Sequence, residues 1–96
     1  MDDKALKDYI SKNILEQTKS KEKANFFEEL YDCNIIDKPK LLKGAINHFY
    51  DSKYKENNCI TKDSVIDTAI EFEVSKETVH NTIYKFKNIR LIFGKL

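Results

Sequence analysis

Two apolar runs at helical spacing lie almost end to end. One carries Val65, Ile66, Ala69, Ile70 and Phe72, the next carries Val79, Ile83 and Phe86, and only Glu73, Val74 and Ser75 separate them. No other feature limits the fold as strongly. Two helices across so short a joint must meet at a steep angle, and that geometry makes local demands. A small residue must sit where the helices touch, and Ala69 is placed for it. Apolar side chains must line the inner wedge, and Phe72, Val74, Val79 and Ile83 supply them. The second helix needs an N-cap at the corner, and Ser75 is a good one. Thr61 is the expected cap of the first.

The rest of the chain also reads as helix. Leu6, Tyr9, Ile10, Ile14 and Leu15 recur at 3–4 spacing, and Asp2 and Asp3 precede them as cap or dipole partners. Thr18–Lys23 is polar, either a linker or the exposed part of one long helix, and Ser20 is a cap candidate for a helix carrying Ala24, Phe27, Leu30 and Tyr31. Cys33-Asn34 is a plausible stop, because Asn tolerates the left-handed conformation. Asp37-Lys38-Pro39 starts a third helix with Leu41, Leu42, Ala45, Ile46, Phe49 and Tyr50 on one stripe. Asp51–Asn58 reads as a loop and Cys59-Ile60 as a short extended piece. The tail Ile89–Phe93, followed by Gly94, reads as a short β-strand. The expected fold is therefore mainly α: a helix-turn-helix domain, winged if the tail completes a wing, with an N-terminal helical extension and a short C-terminal strand. Residues 1–36 form the extension, for dimerisation or partner docking, and residues 37–96 the helix-turn-helix core, within a single domain 1–96.

Composition narrows the function. The chain has 17 Lys+Arg against 16 Asp+Glu, a formal charge of +1, which speaks against a plain polycation. Division by segment changes this. Residues 75–96 hold five cations (Lys76, Lys85, Lys87, Arg90, Lys95) and one acid (Glu77), a net of +4. Residues 51–74 carry a net of −3, and residues 1–50 balance at nine against nine. Asp63, Asp67 and Glu71 make an acidic stripe on the first helix of the pair, either a solvated face or one that is kept off DNA or meets a basic partner. Cys33 and Cys59 read as reduced thiols, and with His48 and His80 they fit no zinc-ligand spacing. No Gly-rich phosphate loop or nucleophile elbow is present, so the expectation is a non-enzyme without a cofactor. No apolar run is long enough for a membrane span. The Met1-Asp2-Asp3-Lys4 start is unlike a secretory leader, and the expected location is cytoplasmic.

Thr68-Ala69, Phe72, Val74-Ser75-Lys76 and Thr78-Val79-His80 closely resemble the helix-turn-helix of the stage III sporulation regulator D family. Ile60-Thr61-Lys62, Val65, Ser75-Lys76, Thr78-Val79, Thr82-Ile83 and Phe86 resemble the winged helix-turn-helix adaptors of tubulin-like plasmid and phage partition systems. The first match covers about 15 residues and the second roughly 30. The resemblance implies centromere-repeat binding as a dimer, coupled to a filament. The sequence departs from both families: Glu73 stands where Gly is usual, the basic tail of the sporulation regulators is absent, and the tail has room for one strand but no return strand.

Groove geometry assigns roles. The first turns of the second helix reach deepest, so Lys76, Glu77, His80 and Asn81 are the base-reading candidates. Asn81 suits adenine N6/N7, Lys76 suits guanine O6/N7, and Glu77 suits cytosine N4. Ser75, Thr78, Tyr84, Lys85, Lys87 and Arg90 are the phosphate candidates. Each exposed polar side chain also has the plain reading of a solvated surface residue. The expected partners are double-stranded DNA and a second copy of the chain. The role is transcription regulation or plasmid/phage segregation. The alternative is a helix-turn-helix interaction module that binds a host or filament protein rather than DNA.

Overall fold

The computed structural model describes residues 1–93. Gly94 after the tail and Lys95 in the basic segment lie outside the described residues. The element order is α1 (Asp3–Thr18), α2 (Lys21–Asp32), α3 (Lys38–Glu56), α4 (Thr61–Phe72) and α5 (Lys76–Lys85). No described helix is long and apolar enough to cross a membrane.

Four of the five helices among the described residues start on a side chain that satisfies an orphan N–H. Asp2 accepts from Ala5, Ser20 from Lys23, Asp37 from Lys40, and Ser75 from Thr78. The stops are local too. Lys19 is left-handed at the end of α1, with its N–H on the Leu15 carbonyl, which divides Thr18–Lys23 into a helix end and a new start. Asn34 is left-handed after α2, with Asn34 and Ile35 donating back to Tyr31 and Leu30.

Three expectations need correction. The first is the Asp51–Asn58 loop, because α3 continues to Glu56. The added turns are held by the Tyr50–Tyr54 stack, by Lys53 over the Phe49 ring and by a 2.8 Å Lys53–Glu56 ion pair. Lys53 and Lys55 also suit the negative end of the helix. Asn58 and Cys59 are both left-handed, so extended backbone there is confined to Ile60. The second is Thr61 as a cap. Ile60 occupies that position without a side-chain bond, and Thr61 is the first helical residue, turned towards the Tyr50 hydroxyl.

The third correction is the C-terminal strand. Ile89–Phe93 forms none, and no strand exists among the described residues. A strand needs another backbone to pair with, and this segment binds side-chain amides instead. Gln17 donates to the Leu91 carbonyl at 2.9 Å and accepts from the Phe93 N–H at 2.9 Å. Buried Asn47 donates to both Phe86 and Ile89 carbonyls at 3.0 Å. Leu91 packs against Gly44, where an added Cβ would lie 2.9 Å from Leu91 Cδ2. Gly44 thus keeps α3 bare where the tail crosses it.

The core joins all five described helices and the tail up to Phe93. Leu6, Ile10 and Ile14 of α1 meet Ala24, Phe27 and Tyr31 of α2, then Ala45 and Ile46 of α3. Val65, Ala69 and Phe72 of α4, Val79 of α5 and Leu91 complete it. Phe72 sits edge-on to Tyr9 at 5.7 Å and to Phe49 at 5.6 Å, which ties α1, α3 and α4 together. Buried hydroxyls are satisfied within their helices: Ser64, Thr68 and Thr82 donate to carbonyls four residues back.

Tyr9 gives the fold an alkaline limit. Its hydroxyl lies 3.0 Å from His48 Nδ1, so His48 is a half-buried partner at the core edge. Burial pushes the Tyr9 pKa up from 10.0 to about 12, with Glu71 and Glu16 adding to the rise and Asn13 opposing it. Burial raises Tyr31 and Tyr50 as well. The folded chain therefore keeps protons that the unfolded chain gives up. That stabilisation is whole below about pH 10 and is lost as pH rises towards 12. Urea melts should show stability falling over this window. Tyr9→Phe should flatten the fall without abolishing it, and an unchanged slope would rule Tyr9 out as a contributor.

Candidate nucleic-acid interface

The candidate surface is the outer face of α5. Val79 and Thr82 are buried and Ile83 half-buried, which fixes the rotation of the helix. The opposite face then carries Lys76, Glu77, His80, Asn81, Tyr84 and Lys85, all exposed. All four base-reading candidates are thus brought onto one free face.

α3 backs this arrangement by packing on both α4 and α5. The joint is as short as the sequence indicates. Val74 donates to the Ala69 carbonyl at 3.1 Å, and Glu73 is left-handed at φ 55°. A side chain in that region is strained by about 1 kcal/mol relative to Gly. Glu73 is exposed and its nearest cation is the N-terminal amine at 3.6 Å, a weak surface pair. Glu73→Gly should therefore raise stability by about 1 kcal/mol in chemical denaturation. A loss would show that the turn depends on the Glu73 side chain.

Among the phosphate candidates the structure distinguishes three groups. Ser75 and Thr78 are occupied with each other, with Oγ to Oγ1 at 2.9 Å and the Thr78 N–H on Ser75 Oγ at 3.0 Å. The first helical N–H groups, of Lys76 and Glu77, remain as donors at the positive end of α5. Tyr84, Lys85 and Lys87 are exposed, and Lys76, Lys85 and Lys87 are in none of the ion pairs among the described residues. Arg90 is different. It leaves α5 with the tail and pairs with Asp51 of α3, so its charge is largely compensated.

Two features escaped the sequence reading. His80 and Tyr84 stack, ring centroids 6.0 Å apart and 6° from parallel, as an aromatic shelf along α5. Their i, i+4 spacing was a signal available in advance. Lys43 of α3 sits over the Phe86 ring at 4.5 Å and brings a cation to the end of α5. That pairing had no local signal.

No family model, curated protein or solved structure matches this chain. The surface is therefore read from its own chemistry. Asp67 of the acidic stripe has a structural task, accepting from Asn57 at 3.0 Å, while Asp63 and Glu71 are exposed. Cys33 and Cys59 are exposed and unbonded. Among the described residues no cluster of three or more His, Cys, Asp or Glu is arranged to hold a metal.

Proposed function

We propose that this chain binds double-stranded DNA sequence-specifically, with α4 and α5 as a helix-turn-helix and α5 in the major groove. The observation that carries this is the face of α5 itself. It presents two unpaired lysines, Asn81, Glu77 and the His80–Tyr84 shelf around a helix start with free N–H donors. A helix with its side chains is about 10–12 Å across, which fits a groove about 12 Å wide. Lys76, Glu77, His80 and Asn81 read bases. Tyr84, Lys85 and Lys87 grip phosphates, and Arg90 is the weakest contributor because Asp51 holds it. One such helix reads few base pairs, so the chain acts as a dimer on repeated or palindromic sites, in transcription regulation or plasmid/phage segregation in the cytoplasm.

A salt titration of DNA affinity tests this, using DNA flanking the gene. Log affinity should fall linearly with log salt, by about 0.9 per phosphate neutralised. Lys85→Ala should lower the slope by about one on every sequence. Arg90→Ala should lower it by less. Asn81→Ala should cost about 1–3 kcal/mol on the cognate site alone. Absence of binding at low salt would transfer support to the second reading, a module that docks a host or filament protein. Ile70, 71% exposed beside Glu71 on α4, is what favours that reading.

A further inference from the structure

The charge order of α2 opposes its own dipole. Lys19, Lys21 and Lys23 cluster at its start against a single acid, Glu22, while Glu28, Glu29 and Asp32 follow Phe26 with no base. Helix starts favour acids and helix ends favour bases, so this order is unfavourable for α2 alone. α1 compensates part of it. Lys7 lies 3.2 Å from Asp32, and Ser11 donates to Glu28 at 3.2 Å. Glu29 is exposed and is in none of the ion pairs among the described residues.

The same helix is covered on one side. Among the described helices its backbone packs on α1 alone. On its outer side Phe26 is 60% exposed. Beside Phe26 runs a groove of about 370 Å3, lined by the apolar side chains of Ile14, Phe27, Leu30 and Phe93 and by Lys23. A phenyl ring next to an apolar groove, flanked by bases on one side and acids on the other, is complementary to itself when reversed.

We propose that a second copy of this chain docks here, with the two α2 helices antiparallel about a twofold axis at Phe26. Reversal about Phe26 sets Lys23 opposite the partner's Glu29 and each basic start against an acidic end. It also sets the two helix dipoles antiparallel, and both Phe26 rings meet the grooves at the centre. The contact is isologous, so it closes as a dimer. A twelve-residue helix spans about 18 Å, so the interface is small and the dissociation constant is on the order of micromolar. This inference names the self-partner of the proposed DNA binder and draws only its purpose from that reading, because the dimer is measurable without DNA.

Sedimentation equilibrium of the full chain, without DNA and well above micromolar concentration, should give twice the chain mass. Phe26→Asp should give the single mass with unchanged helical circular dichroism. Glu29→Lys should weaken the dimer about tenfold, by setting like charges against each other. Adding Lys23→Glu to that variant should restore the dimer. A monomeric wild type, a dimeric Phe26→Asp chain, an unaffected Glu29→Lys chain or a double variant that stays monomeric would each overturn the proposal. Single-half-site DNA binding by Phe26→Asp keeps the two readings apart. DNA bound by a monomeric wild type removes only the dimer, and a dimer that ignores DNA removes only the DNA reading.

Discussion

Phe72→Ala should remove about 3–5 kcal/mol of stability, the range for deleting a buried aromatic ring. Phe72 is 1% exposed and closes edge-on contacts to Tyr9 of α1 and Phe49 of α3. A chain of 96 residues has a total stability of roughly 5–14 kcal/mol. The loss is therefore a large fraction of the whole. The ring also precedes the joint between α4 and α5, so, on the proposed DNA-binding reading, the same variant should lose DNA affinity in proportion to its unfolded fraction. Urea denaturation followed by circular dichroism measures it, and a loss under about 1 kcal/mol would show that the three-helix junction is not where stability resides.

Asn47→Leu should cost about 1–3 kcal/mol despite its similar volume. Asn47 is 1% exposed and gives two hydrogen bonds, to the Phe86 and Ile89 carbonyls. A leucine leaves the Ile89 carbonyl without that donor, while the Phe86 carbonyl keeps the Ile89 N–H at 3.0 Å, and an unmet acceptor costs about 1–3 kcal/mol. The effect should be selective. The turn after α5 and the tail that carries Arg90 should lose hydrogen-exchange protection, while α1 and α2 keep theirs. Uniform loss across the chain would mean that the tail and the helices melt as one unit.

The legible part of this fold was the part set by near neighbours. Asp2, Ser20, Asp37 and Ser75 were readable as caps because a cap acts on an N–H three residues away. Asn34 was readable as a stop because left-handed backbone is its own property. The outward face of α5 followed from periodicity alone, so all four base-reading candidates emerged together. Pattern reading failed where polar residues do structural work. Asp51–Glu56 looked like a loop because its helix is held by ring stacking and an ion pair rather than by apolar spacing. Ile89–Phe93 looked like a strand because its residues favour strands, but strand formation needs a partner.

By itself, then, the sequence determined most helix starts, the stop after α2 and the side chains that α5 turns outward. These depend on interactions within about four residues, which composition and spacing record directly. The tertiary structure alone decided the rest. It set the tail against Gly44 and gave its backbone to Gln17 and Asn47, 42 to 76 residues away in the chain for the Gln17 and Ile89 contacts. It neutralised Arg90 with Asp51 and left Phe26 uncovered on α2. Such pairings carry no local signal, because a side-chain amide or a carboxylate meets a distant group only after packing has brought the two together.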